Sequence, residues 1–192
     1  KNMPKIAVLI SGGGSNLQSI IDAVENKTLN CEISVVIADR EASGLERAEK
    51  HGIKNILVDR KIFKKELTKE IFKYIPEDTD LIVLAGYLSI VDGEIIKEWT
   101  NKIINIHPSL LPKFGGKGMY GLNVHKTVIE AKERQSGCTV HYVNAGIDTG
   151  DTIKQVFVPV FLSDTPEELQ KRVLEEEHIV LVEVIKDLLP KA

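Results

Sequence analysis

Asn105 and His107 stand two apart in Ile103-Ile104-Asn105-Ile106-His107-Pro108, a β-branched run that ends at a proline. Alternate residues of a strand point to one face, so the carboxamide and the imidazole converge on one point. Their N–H groups are the donors that a developing oxyanion needs. Pro108 has no N–H and biases His107 toward extended geometry, so the ladder stops there. The pair is thereby expected at the carboxyl end of a strand, where open α/β sheets bind ligands. A strand Asn and His can equally serve their own backbone. What favours chemistry is Asp148, in Ile147-Asp148-Thr149-Gly150-Asp151. With it the chain holds an oxyanion donor, an acid or base, and a group to orient that base. His141, alternating with Thr139, either helps shape the same site or is a satisfied strand histidine. A zinc site drawn from His107, His125, His141 and Asp148 is the sharp rival, without an HExxH or cysteine cluster to support it.

A second cluster suits an anion. Ser11-Gly12-Gly13-Gly14-Ser15-Asn16 lies between an apolar run, Lys5 to Ile10, and Leu17, Ile20, Ile21 and Val24 at helical spacing. Glycines admit close backbone approach, and a helix start offers unpaired N–H groups with the dipole behind them. We read a phosphomonoester site at Gly14, Ser15 and Asn16. A dinucleotide fingerprint would require glycine where Leu17 stands, although Asp39 could then meet a ribose. A Gly-Lys-Ser/Thr phosphate loop is absent. A purely structural turn, with Ser15 capping the helix, is the plain alternative.

The elements that must position these residues alternate. Strands are expected at Lys5–Ile10, Glu32–Ala38, Lys54–Val58, Leu81–Ala85 and Ile103–His107, and helices at Ser15–Val24, Gly44–His51 (stopped by Gly52) and Ile62–Tyr74. Lys113 to Leu122 carries Gly115, Gly116, Gly118 and Gly121, which suits a mobile lid; Lys113 and Lys117 are expected to be solvated. Val124–Lys132 reads as a short helix. Gly137–Val143 and Thr152–Val160 alternate as an antiparallel pair whose turn presents Asp148. From Ser163-Asp164-Thr165-Pro166 a final amphipathic helix runs to about Leu189, with Glu175, Glu176 and Glu177 on a solvated face by default. The expected fold is α/β: a single-domain, Rossmann-like open sheet over residues 3–192, mostly parallel in the first half, with an antiparallel strand pair in the second and helices on both faces. Lys1 and Asn2 precede Met3 and are left out of it.

Composition narrows the function classes. The 192 residues are 43% hydrophobic and 28% charged, as in an ordinary globular chain. A formal net charge of −3 offers no general attraction for nucleic acid. No apolar run reaches the length of a membrane span, and the amino-terminus lacks a secretory core, so a cytoplasmic location is expected. Cys31 and Cys138 read as buried free thiols.

The glycine turn Ser11–Asn16, Leu84-Ala85-Gly86-Tyr87, Asn105-Ile106-His107-Pro108-Ser109-Leu110-Leu111-Pro112 and Asp148-Thr149-Gly150 together resemble the phosphoribosylglycinamide formyltransferases, folate-dependent enzymes of purine synthesis, over nearly the whole chain. The third and fourth segments are shared by all formyltransferases of this fold; the glycine turn and the expected lack of an extra domain point to this branch. The resemblance implies transfer of a formyl group from 10-formyltetrahydrofolate, as co-substrate, to the amine of glycinamide ribonucleotide, through a tetrahedral intermediate and without a metal. It implies that Asn105, a protonated His107 and Asp148 are the catalytic trio, and that Gly14, Ser15, Asn16 and Glu177 bind the ribonucleotide. The folate would meet Leu88, Ser89, Ile90, Val91, Asn105, Asn144 and Asp148. Many members carry arginines within Phe63–Glu66 and at the position of Ser89; here Lys64, Lys65 and Ser89 stand, and no side chain is assigned to the folate tail. Leu174 replaces a polar ribonucleotide contact of some members. The expected partners are these two small molecules, with no nucleic acid or membrane, in a monomer or homodimer. Rival readings are a 10-formyltetrahydrofolate hydrolase, transfer to another amine, and a non-catalytic folate or nucleotide-binding module. A deformylase would carry an amino-terminal regulatory domain and a methionyl-tRNA formyltransferase a tRNA-binding extension; neither is expected here.

Overall fold

The computed structural model describes residues 3–191, so Lys1, Asn2 and the last residue of the expected domain, Ala192, lie outside it. The chain runs β1 (Lys5–Ile10), α1 (Ser15–Glu25), β2 (Glu32–Ala38), α2 (Gly44–Lys50), β3 (Asn55–Leu57), α3 (Arg60–Phe63), α4 (Leu67–Phe72), β4 (Leu81–Leu84), α5 (Ile95–Glu98), β5 (Ile103–His107), α6 (Leu122–Glu130), β6 (Gln135–Tyr142), β7 (Thr152–Pro159) and α7 (Pro166–Leu188). One sheet takes the order β3-β2-β1-β4-β5-β6-β7. The first five strands are parallel, and β5–β6 and β6–β7 are antiparallel, as the sequence predicts.

The apolar runs are continuous because both faces of the sheet are covered. In β1, Ile6, Val8 and Ile10 join Leu17 and Ile20 of α1 and Val180, Val184 and Ile185 of α7 in one core. Ala7 and Leu9 face the other way, with Leu67, Ile71 and Phe72 of α4. Helix α7 begins at a capping box: Thr165 accepts from the Glu168 N–H, Glu168 reaches back to the Thr165 N–H, and Pro166 opens the first turn.

The expected single helix over Ile62–Tyr74 is instead broken. Asp59 caps the four residues of α3, a 3₁₀ turn follows at Lys64–Glu66, and Lys64 has φ 51°. Ile62 is 71% exposed whereas Leu67 and Ile71 are buried, and α3 meets their core only through the partly buried Phe63, so a continuous helix is not enforced.

The order of strands sets where a ligand can go. β1 is flanked by β2 on one side and β4 on the other, and chain direction away from β1 reverses there. A crevice opens outside the carboxyl ends of strands at such a switch point. The glycine turn after β1 and the loop after β4 meet in it, joined by the Ser11 N–H to the Gly86 carbonyl at 3.1 Å.

Candidate active site

A cavity of about 630 Å³ occupies the crevice, and both predicted clusters line it. Gly14 and Ser15 with Asn16 and Glu177 line one part, Leu88 to Val91 with Asn144 another, and Asn105, His107, His141 and Asp148 a third.

In the first part, Gly14 is the N-cap of α1 with φ 75°, which glycine adopts without strain. Helix α2 packs against the turn so closely that a Cβ on Gly44 would lie 2.8 Å from the Gly12 carbonyl oxygen and 3.2 Å from the Gly14 Cα. No side chain caps α1 and its first turn holds no carboxylate, so the alternative in which Ser15 caps the helix is not what forms. The helix start is left to a ligand. Glu177 corrects the default reading of its acidic run. Its neighbour Glu175 is exposed, but Glu177 is buried where α7 crosses α1, and it accepts from Asn16 Nδ2 at 3.1 Å. Burial pushes the Glu177 carboxyl up to about 7 against the opposing Asn16 bond. Asn16 Oδ1 is buried without a partner, an acceptor held ready in this part of the cavity. Leu174 and Gln170 extend the same wall.

The ribose role that the dinucleotide reading gave Asp39 does not survive. Its side chain has no exposure, and its oxygens are taken by Ser11, Ser89 and Arg40. Because Ser11 also accepts from the Leu88 N–H at 2.8 Å, Asp39 braces the glycine turn against the loop after β4. Burial raises its pKa, but the Arg40, Ser89 and Ser11 bonds outweigh this and hold the carboxyl below the usual range.

In the third part, strand parity delivers the central residues. β5 and β6 pair Asn105 with His141 and His107 with Thr139. Residues directly opposite share a face, so Asn105 Nδ2 lies 3.2 Å from His141 Nε2. The Tyr142 carbonyl, 2.9 Å from His141 Nδ1, can only accept, so His141 Nδ1 carries hydrogen and Nε2 is the ring atom that faces Asn105. One Asn105 N–H remains for a ligand. His107 is fixed by the same logic: its Nε2–H donates to the Phe114 carbonyl at 2.9 Å, and Nδ1 faces Asp148 Oδ2 at 3.5 Å. Asp148 lies as close to His141, with Oδ1 3.7 Å from Nε2, and accepts from the Gly116 N–H at 3.1 Å.

Asp148 sits in the turn between β6 and β7 with φ 55°, a left-handed geometry that aspartate tolerates better than most side chains. The turn is tight: a Cβ on Gly150 would fall 1.6 Å from the Tyr142 carbonyl oxygen. Burial raises the Asp148 pKa, yet the His141 contact, the His107 ring and the Gly116 N–H prevail and keep it ionised. For His107 the balance goes the other way. Burial lowers its pKa, and Asp148 and the Phe114 carbonyl offset this only in part. The resting ring of the ligand-free protein is therefore neutral near pH 7, and the protonated His107 expected in the reaction has to arise with substrate bound.

Several residues that fix this geometry carry no signal in the sequence. Ser109 donates to the Lys113 carbonyl, Thr139 donates to the Ser109 carbonyl, and Gln155 Nε2 reaches Thr139 Oγ1 and the Leu111 carbonyl. They hold the loop, with a cis Leu111–Pro112 peptide, that brings the Phe114 carbonyl to His107. The alternation of Gln155 on β7 is the one available hint. The glycine-rich segment is a loop, as predicted, and docks through Gly116 onto Asp148. Lys113 is solvated and pairs with Glu133, and Lys117 is exposed at the cavity edge. His125, 1% exposed, lines the wall with Nδ1 unpartnered, and burial followed by the nearby His107 lowers its pKa to about 4. Among the described residues, no three His, Cys, Asp or Glu side chains are gathered as metal ligands.

A crevice at a switch point, lined by an amide, an imidazole and a carboxylate, is the layout of an α/β enzyme-type site rather than of a sealed core. The Formyl transferase family matches residues 4–185, and the chain belongs to it. It is 42% identical to phosphoribosylglycinamide formyltransferase of Haemophilus influenzae, over 96% of this chain and 86% of that one. It is 40% identical to the chloroplastic phosphoribosylglycinamide formyltransferase of Arabidopsis thaliana, over 94% of this chain; the chain spans 64% of that relative's length, and 60% of the one from Vigna unguiculata. Among solved structures, phosphoribosylglycinamide formyltransferase from Bacillus halodurans superposes with a TM-score of 0.88 at 32% identity, covering 96% of this chain and 94% of that one. The Coxiella burnetii protein of the same name, in complex with CHES, gives 0.87 at 38% identity, covering 96% and 86%.

Proposed function

We propose that the chain transfers the formyl group of 10-formyltetrahydrofolate to the primary amine of glycinamide ribonucleotide. The observation that carries this reading is that Asn105, His107 and Asp148 line one cavity together with two dissimilar groups of residues. The first, an uncapped helix start with Asn16 and Glu177, suits a phosphate and its sugar. The second, the backbone of Leu88 to Val91 with Asn144, suits a flat heterocycle with edge donors and acceptors. The names of the relatives support the same substrates.

In the reaction, the amine nitrogen bonds to the formyl carbon and the carbonyl π pair moves to oxygen. The free Asn105 N–H stabilises that oxyanion. The incoming amine sheds a proton to His107 Nδ1, beside the ionised Asp148, which stabilises the imidazolium as it forms. His107 then donates from Nδ1 toward the oxyanion. As the intermediate collapses the bond from carbon to N10 breaks, and N10 takes the proton, with Asp148 or a water it orients as the relay. His141 keeps the Asn105 amide aimed. Gly14, Ser15, Asn16 and Glu177 bind the ribonucleotide, and Leu88, Ser89, Ile90, Val91, Asn105, Asn144 and Asp148 line the folate position. The same donor can be hydrolysed, passed to another amine, or bound without reaction. Measuring folate absorbance with and without glycinamide ribonucleotide separates these outcomes. Release of tetrahydrofolate that requires the ribonucleotide supports the proposal; release without it, or binding without release, overturns it.

A further inference from the structure

Near the Leu88–Val91 part of the cavity lies a cation that the reaction leaves unused. Arg40, directly after β2, is held by Asp39 through Nε to Oδ1 at 3.0 Å and Nη2 to Oδ2 at 2.9 Å. The carboxylate is fully buried, and its Oδ2 also accepts from the hydroxyl of Ser89, which lines the cavity. One oxygen therefore ties the guanidinium to the cavity wall. The fork to Asp39 uses two of the guanidinium's five N–H donors, and the Arg40 side chain remains 31% exposed. Leu88, Ile90 and Tyr120, which line the cavity with Ser89, are exposed apolar surfaces. The rim thus combines a rest for a flat, apolar body with a guanidinium whose orientation is already fixed.

We propose that Arg40 binds the carboxylate tail of the folate co-substrate, with Asp39 as its positioning residue; this rests on the formyl-donor reading above. A guanidinium is planar and matches a carboxylate through paired N–H donors. Holding it in place before the ligand arrives removes part of the ordering cost of binding. Asp39 cancels much of the Arg40 charge at a distance, so recognition works by contact geometry and not by long-range attraction. Lys64 and Lys65 offer a different solution. They are exposed on the 3₁₀ turn, and that segment touches the same loop through Thr68 Oγ1, which donates to the Ile90 carbonyl. Nothing fixes either ammonium, so they are the controls.

The test compares 10-formyltetrahydrofolate with 10-formyltetrahydropteroate, which lacks the glutamate. Arg40→Gln is made alone and together with Asp39→Asn, the pair removing the buried charge along with its partner. Loss of one charge-assisted contact raises KM for the folate about 10-fold in both variants, and in Arg40→Gln the KM for the pteroate and kcat with either donor stay as in the wild type. Arg40→Lys restores part of the loss. Equal loss on both donors, or a tail-selective loss in Lys64→Gln/Lys65→Gln instead, overturns the assignment. Calorimetric titration with tetrahydrofolate and tetrahydropteroate reads the same difference without turnover. A tail preference that depends on Arg40 in a protein that transfers no formyl group refutes the reaction alone. Turnover with no tail preference refutes the Arg40 assignment alone.

Discussion

Asp148 faces both central histidines and a loop amide: His107 at 3.5 Å, His141 at 3.7 Å and the Gly116 N–H at 3.1 Å. His107 titration is the first consequence at this scale. An NMR titration of its ring should give a midpoint below 6.5, because burial outweighs Asp148, and a still lower one in Asp148→Asn, where the offset is gone. A wild-type midpoint above 6.5 would contradict the burial argument. Asn105→Ala removes an oxyanion donor and should cut kcat by about 10²–10³ with KM nearly unchanged; an unchanged kcat removes that role from Asn105. Glu177 gives a stability test. Its folded pKa is raised from 4.5 to about 7, so the folded state holds a proton that the unfolded state has lost across that window. Stability therefore falls as pH rises from 4.5 to 7 and is flat above, by an amount on the order of 3 kcal/mol. Urea midpoints should show Glu177→Gln free of that decline, and parallel curves for the two proteins would disprove it. Glu177 also shows what a sequence hides: within three consecutive glutamates only the crossing of α7 over α1, contacts 161 positions apart, singles out the buried one.

Elements carry the site to its geometry through close approach. Gly44→Ala would drive a methyl into the Gly12 carbonyl, 2.8 Å from the ideal Cβ, and into the Ile10 side chain. We expect a loss of about 1–3 kcal/mol in stability and a weaker affinity for the ribonucleotide at the displaced turn. Calorimetric titration with that ligand checks it, unchanged affinity being the contrary result. Thr165→Ala removes the α7 capping box and should cost about 1 kcal/mol, without altering kcat, since the cap lies outside the cavity. Legibility divides along the same line. The strands, α1, α2, α7 and the β6–β7 pair are readable because local pattern and tertiary role agree: β1 is apolar throughout because both faces are covered, and Thr165-Pro166 announces its own helix start. The stretch from Arg60 to Phe72 misleads because its apolar residues have helical spacing while packing buries Leu67, Ile71 and Phe72, engages Phe63 only in part and leaves Ile62 exposed. Asp39 misleads for a related reason. A carboxylate at a strand end resembles a ligand contact until the two serines that reach it from other loops, and its bond to the adjacent Arg40, are known.

For the whole molecule, sheet order converts local signals into one site. Ser11–Asn16, Leu88–Val91, Asn105–His107 and Asp148 are separated by up to 137 positions in the chain, and each is recognisable alone as a turn, a loop or a strand end. That they surround one crevice follows from β1 lying between β2 and β4 and from β6 returning antiparallel to β5. The antiparallel return is what sets His141 opposite Asn105 and brings the Asp148 turn back over His107. Second-layer residues such as Ser109, Thr139 and Gln155 were illegible because their partners are backbone carbonyls of a loop whose path no local pattern encodes. The claim that rests on all of this is that the central trio moves a formyl group between two ligands bound in the same cavity. The most direct test is formyl transfer from 10-formyltetrahydrofolate to glycinamide ribonucleotide by the wild type and by Asp148→Asn, with both ligands saturating. The account predicts ribonucleotide-dependent turnover that falls by about 10²–10⁴ in the variant, with binding of both ligands retained. Wild-type turnover that ignores the ribonucleotide, or a variant as fast as the wild type, would contradict it.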